Sequence, residues 1–273
     1  MEEMISIVVP VYGAAEYIAE TIRMVRGQTY PCWELILVDD CSPDGSVPAI
    51  EAALADLRHC SEQRDGGAVR QIEEYFCAEG QRIALLRKAK NEGAARARNT
   101  GTAEARGRYL AFLDADDIWM PDKLEKELQY MKEKQAGFVF TAYEFGDEKA
   151  APTGKVVHVP ETLCYRQALS RTVIFTTTVL FDREKIAAQL LQMPDVASED
   201  TATWWQILRA GHVAYGLDQV LAIYRRPAKS LSSNKWQAIR RIWNLYRRQE
   251  GLSVLRSACC FVFWAVRATV RRL

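Results

Sequence analysis

RYLAFLDADDIWMPDKL, residues Arg108 to Leu124, decides how this chain is read. Tyr109 to Leu113 form a short, unbroken apolar run, the pattern of a strand buried on both faces of a sheet. The run ends directly in Asp114, Asp116 and Asp117, and a new helix is expected from Pro121. In open α/β sheets ligands bind at the carboxyl ends of such strands. Carboxylates at i and i+2 on an irregular strand end can share one hard cation, and Mg²⁺ typically combines one or two carboxylates with substrate phosphates. The stretch therefore reads as a metal-diphosphate site, against the plainer alternative of a solvated turn whose aspartates cap the next helix.

Upstream, the pattern repeats. Ile5 to Tyr12 is a strand closed by Pro10, followed by helical apolar spacing at Ile18, Ile22 and Val25. Trp33 to Val38 is a second buried strand, ending in Asp39-Asp40-Cys41-Ser42-Pro43-Asp44-Gly45. Helices are expected over 47–57 and 69–78, a strand over 83–86, and an alanine-rich helix over 91–105. This βαβα order implies an α/β protein with a mostly parallel sheet flanked by helices. Downstream, strands are expected over 136–145, 172–181 and 220–224, with helices over 182–191 and 201–210, the latter preceded by Ser198-Glu199-Asp200.

The totals narrow the class. With 273 residues, 49% hydrophobic and 26% charged, the composition is that of a globular protein. A net charge of +1 argues against general nucleic-acid binding, but it hides a split. Residues 228–273 hold ten basic residues and one acid, a net of +9, leaving −8 for residues 1–227. A basic segment of that kind suits an anionic surface. The seven cysteines lack CxxC spacing and read as reduced; the three histidines are scattered, so zinc is not expected. No signal peptide is read before Ile5, which points to the cytoplasm.

Five segments carry a family resemblance: VVPVY (8–12), QTYPCWELILVDDCSPDGS (28–46), NEGAARARNTG (91–101), YLAFLDADDIWMPDKL (109–124) and SEDTATWWQILRAG (198–211). In this order and spacing the chain resembles the inverting family-2 glycosyltransferases of the GT-A fold, over roughly residues 4–232. The resemblance implies a Rossmann-like catalytic domain, residues 1–227, with a nucleotide half (1–120) and an acceptor half (121–227); the residue pattern beyond it is read as a basic, amphipathic, helical C-terminal tail (228–273). It implies a UDP-sugar donor, Mn²⁺ or Mg²⁺, and a glycan or lipid-linked acceptor. Asp116 would hold the metal, with Asp114 beside it and near the ribose. Asp40 would read the uracil edge, Pro10, Val11 and Tyr12 would line the base pocket, and Arg98 would sit near the nucleotide. Asp200 would be the general base, supported by Glu199; the alternative for these two acids is a simple helix cap. Asp117 is expected to cap a helix or support the site, and Trp204 and Trp205 to wall the acceptor or pack in the core. Pro227 stands where the family often has histidine, so Arg225, Arg226 or Lys229 would supply the positive charge. Competing readings are a sugar nucleotidyltransferase, which would want a Gly-rich basic loop after the first strand, and an inactive nucleotide-sugar-binding membrane scaffold.

In the tail, Trp236, Ile239, Ile242, Trp243, Leu245 and Tyr246 share one side of a helical wheel, opposite Arg240, Arg241, Arg247 and Arg248. The apolar run 257–266 is too short to span a bilayer, so an in-plane interfacial helix is expected, with Phe261, Phe263 and Trp264 dipping in. That places the protein peripherally on the cytoplasmic face of a membrane, with packing on the domain or a homodimer contact as alternatives.

Overall fold

A computed structural model describes residues 3–64, 67–226 and 235–270. In chain order the elements are β1 (Ile5–Val11), α1 (Ile18–Arg26), β2 (Trp33–Asp39), α2 (Ser46–Ala53), β3 (Arg58–Gln63), β4 (Val69–Phe76), β5 (Gln81–Lys88), α3 (Ala94–Glu104), β6 (Tyr109–Phe112) and β7 (Ile118–Trp119). Then follow α4 (Lys123–Glu133), β8 (Phe138–Gly146), β9 (Pro152–Val157), β10 (Thr162–Leu163), α5 (Tyr165–Ala168), β11 (Val179–Asp182), α6 (Glu199–Arg209), β12 (Ala214–Arg225), α7 (Lys235–Asn244) and α8 (Val254–Val270).

The described strands form one mixed sheet in the order β10-β12-β8-β11-β6-β1-β2-β5-β4-β3, with β7 on β12 and β9 on β8. Its centre, β6-β1-β2-β5, is parallel. All seven residues of β2 and all four of β6 are buried, which is why both read as mainly apolar runs, broken in β2 only by Glu34 and Asp39. Parallel strands align their carboxyl ends, so the loops after β1, β2 and β6 emerge together. α3 lies close over β1: a Cβ on Gly101 would come within 2.4 Å of Val8 Cγ1, so only glycine fits that crossing.

Four expected elements differ. Residues 69–78 are not helical; β4 pairs antiparallel with β3 and β5 as a hairpin extending the sheet edge. Residues 172–181 do not form one strand: a 3₁₀ turn at Thr176–Thr178 precedes the short β11. Residues 182–191 form tight turns and a 3₁₀ segment, Ala188–Leu191, rather than an α-helix. The last strand is longer than expected, running from Ala214 to Arg225.

The tail docks on the domain. Trp205 and Tyr246 stack with ring centroids 5.3 Å apart and planes 7° apart, and Tyr246 donates its hydroxyl to the Leu169 carbonyl. Glu250 accepts from Arg209 at 2.9 Å and from Tyr165.

Candidate active site

The loops after β1, β2 and β6, together with α3, enclose an open cavity of about 490 Å³. Its lining includes Pro10, Val11, Tyr12, Asp40, Arg98, Asp114 and Asp116, drawn from four separate parts of the chain. Tyr12 is 56% exposed at its mouth.

Asp40 is buried just after β2, at the cavity wall, and is held by three donor groups. Oδ1 accepts from Lys88 Nζ at 2.6 Å, and the carboxylate accepts from the backbone N–H groups of Glu92 (3.1 Å) and Gly93 (2.7 Å). Lys88, on β5, is wholly buried and also meets Glu92 at 3.2 Å. This cation had no place in the sequence reading. Its only signal is a lysine closing an apolar strand, where burial demands a partner. Gly93, at φ +88°, takes the left-handed turn that aims its N–H at Asp40.

Arg98 is 6% exposed rather than a solvated helix arginine. Its Nη2 donates to Asp114 at 2.5 Å and its Nη1 to Glu199 at 2.9 Å. Burial alone would lower its pKa, but the Asp114 and Glu199 carboxylates outweigh that and raise it above the ordinary arginine value. Arg98 Nε is buried with no acceptor among the described residues.

Asp116 is pushed above the usual carboxylate range by burial and by the neighbouring Asp114 charge. Asp117 does not cap a helix. It is buried, accepts from Thr177 Oγ1 at 2.5 Å and Arg225 N at 3.2 Å, and is held far above the usual range by burial and by Asp114 and Asp116. Arg225 braces the same loop: its Nε donates to the Asp116 carbonyl at 2.6 Å and its Nη2 to Glu20 at 2.7 Å. Arg226 lies over the Phe145 ring, while Pro227 and Lys229 fall outside the described residues.

Glu199 and Asp200 open α6, but not behind a side-chain cap. Ser198 adopts a left-handed conformation, φ 64°, and its hydroxyl caps nothing. Burial raises Glu199 above its ordinary value, with Arg98 opposing and Asp200 adding to the rise. Asp200 accepts from Thr176 Oγ1 at 3.2 Å. Arg98 thus ties the acids of α6 to the cavity, although neither lines it. Trp204 and Trp205 are buried core residues, Trp204 stacked 5.3 Å from Phe181, and so are not a solvent-facing wall.

Among the described residues no three His, Cys, Asp or Glu side chains converge as a ready metal cage. What converges is an oxygen-donor pair, Asp114 and Asp116, whose mutual repulsion raises one pKa. That pair suits a hard divalent cation that draws its other ligands from phosphate oxygens and water.

Residues 6–186 match the model of glycosyl transferase family 2. The chain belongs to this family. Relatives of similar length agree: the chain is 39% identical, over 99% of its own length and 98% of the relative's, to TuaG of Bacillus subtilis, a glycosyltransferase provisionally named for teichuronic acid biosynthesis. It is 31% identical, over 89% of its length and 85% of the relative's, to WfgD of Escherichia coli, named a UDP-Glc:α-D-GlcNAc-diphosphoundecaprenol β-1,3-glucosyltransferase. Two solved structures share the fold. TarS residues 1–349 of S. aureus, in complex with UDP-GlcNAc, superposes with a TM-score of 0.65 at 16% identity, covering 96% of this chain and 71% of that one. The mannosyltransferase PcManGT of Pyrobaculum calidifontis, in complex with GDP-Man and Mn²⁺, also gives 0.65, at 20% identity, covering 91% and 65%. As a family-2 member with the GT-A architecture, the protein is a glycosyltransferase.

Proposed function

We propose that the protein transfers a sugar from a UDP-sugar, with inversion, to a lipid-linked glycan at the cytoplasmic face of a membrane. The observation that carries the reading is the Arg98 bridge, which joins the carboxylate beside the candidate metal position to the acid pair opening α6. The naming of relatives for a UDP-glucose donor and a diphosphoundecaprenol acceptor supports the substrate classes.

Residues 1–120 hold the donor and residues 121–227 the acceptor. Pro10 to Tyr12 flank the base, and Asp40, fixed by Lys88, offers its carboxylate edge to the uracil N3–H. Asp116, with Asp114, would hold Mn²⁺ or Mg²⁺, which when bound would supply positive charge for the departing diphosphate. Arg98, lining the same cavity, stands near the nucleotide and restrains Asp114, which stands near the ribose. Asp200, oriented by Thr176, removes the acceptor hydroxyl proton as that oxygen attacks the anomeric carbon, and Glu199 positions the acceptor. UDP leaves from the opposite face, so a single displacement inverts the centre.

The test is UDP release from a panel of UDP-sugars with Mn²⁺ and a diphosphoundecaprenol-linked acceptor. Wild type should turn over one donor, while Asp116→Ala and Asp200→Asn should lose transfer and keep their fold. Full transfer by both variants would sink the mechanism. A nucleotidyltransferase would instead consume a nucleoside triphosphate, and the inactive scaffold would bind UDP-sugar without releasing UDP.

A further inference from the structure

Helix α8 has two distinct faces. Ser257, Cys260, Phe261 and Trp264 turn inward: Ser257 is fully buried, Phe261 packs against Trp243 and Trp264, and Trp264 Nε1 donates to Thr172 Oγ1 at 3.0 Å. The opposite face is apolar and exposed. Leu255 is 82% exposed, Val262 59%, Phe263 56% and Val266 57%. Leu255, Val262 and Val266, at i, i+7 and i+11, form one continuous stripe on a helix. Arg256 and Arg267, also eleven residues apart, run along the stripe's border, and the helix contains no acidic residue. No described helix is long and apolar enough to cross a membrane.

We infer that this outward face of α8 is a docking surface for a bilayer carrying anionic lipids. Apolar side chains enter the acyl boundary while the arginine border meets the headgroups. Charge decides the occupant. Residues 228–273 carry a net of +9, which suits an anionic surface. A second copy pairing through the same stripe would instead bring arginines together with no acid on either helix to oppose them. The sequence expectation put Phe261, Phe263 and Trp264 in the lipid together; the packing keeps Phe261 and Trp264 for the protein and leaves Phe263 with Leu255, Val262 and Val266.

The docked helix also reaches the acceptor side. Arg267 donates to the Ser170 carbonyl at 3.1 Å and Trp264 to Thr172, on the segment that continues to Thr176 and its bond with Asp200. The lipid surface and the proposed base are therefore joined through one short stretch of chain.

This inference deepens the membrane placement proposed above, and its test uses none of the transfer chemistry. The full-length protein is sedimented with vesicles of phosphatidylcholine alone or mixed with phosphatidylglycerol. Wild type should bind the anionic vesicles and be released by salt. The Leu255→Ser/Phe263→Ser variant should bind at least about tenfold more weakly, with unchanged melting temperature and solution mass, since the side chains removed are exposed. Equal binding to both vesicle types, or undiminished binding by the variant, would overturn the inference. So would a wild-type dimer that the variant splits, which would assign the face to a second copy. If UDP release fails while vesicle binding holds, the catalytic reading falls and this one stands.

Discussion

Arg98 Nη1 lies 2.9 Å from Glu199 Oε1, binding α3 to the first turn of α6 across 101 residues of sequence. The other terminal nitrogen holds Asp114. One planar guanidinium therefore sets the spacing between Asp114 and the acid pair that opens α6. A lysine has a single charged nitrogen and cannot span both carboxylates. Arg98→Lys should fold but lose about 10²-fold in kcat, and steady-state kinetics with saturating donor will read it.

Ligands should stabilise the protein in order. UDP alone should raise the melting temperature slightly. UDP with Mn²⁺ should raise it further, because a cation there would offset both the burial and the Asp114 charge that elevate Asp116. At a hundredfold excess over Kd the gain is about 2.7 kcal/mol, and EDTA should reverse the metal part. Asp116→Asn should abolish that part, and should itself melt no lower than wild type, since a half-buried charge beside Asp114 has been removed.

Glu199 gives a signed pH dependence. Its pKa is raised in the folded protein above 4.5, so between the unfolded and folded values the native state binds more protons. Stability from this group is therefore present at low pH and is lost as pH rises from about 4.5 through the folded value. Glu199→Gln should flatten that part of the curve of urea midpoint against pH. An unchanged slope in the variant would refute the assignment.

Gly101 is a packing requirement rather than a turn. A methyl group there would meet Val8 Cγ1 at 2.4 Å and Val38 Cγ2 at 3.1 Å, so α3 would have to lift off the sheet. Gly101→Ala should cost about 1–3 kcal/mol in urea unfolding, and Gly101→Val more. Donor affinity should fall with it, because Arg98 rides on the same helix.

The central sheet and the cavity were readable because burial on both faces leaves apolar runs, and acids directly after such runs have few structural uses. The segments that misled did so for identifiable reasons. Val69 and Ile72 are three residues apart, a helical spacing, yet both are buried in β4 because the register with β5 shifts between Val69 and Gln71. A bulge can thus counterfeit a helix. The β-branched run at 173–179 promises a strand, but Thr176, Thr177 and Thr178 spend their hydroxyls on Asp200, Asp117 and the Phe175 carbonyl, which holds a tight turn instead. Lys88 stayed hidden because its partner, Asp40, is 48 residues away in sequence.

The sheet changes sense at β6, which pairs parallel with β1 and antiparallel with β11. Backbone hydrogen bonds therefore run unbroken from β2, which leads into Asp40, to β12, which carries Arg225. The two ends of a sheet joined in this way cannot close on one another like a jaw. Adjustment around the cavity falls to the loops at the strand ends and to side-chain rotation, while the frame that spaces Asp40 from Arg225 is set once, when the chain folds.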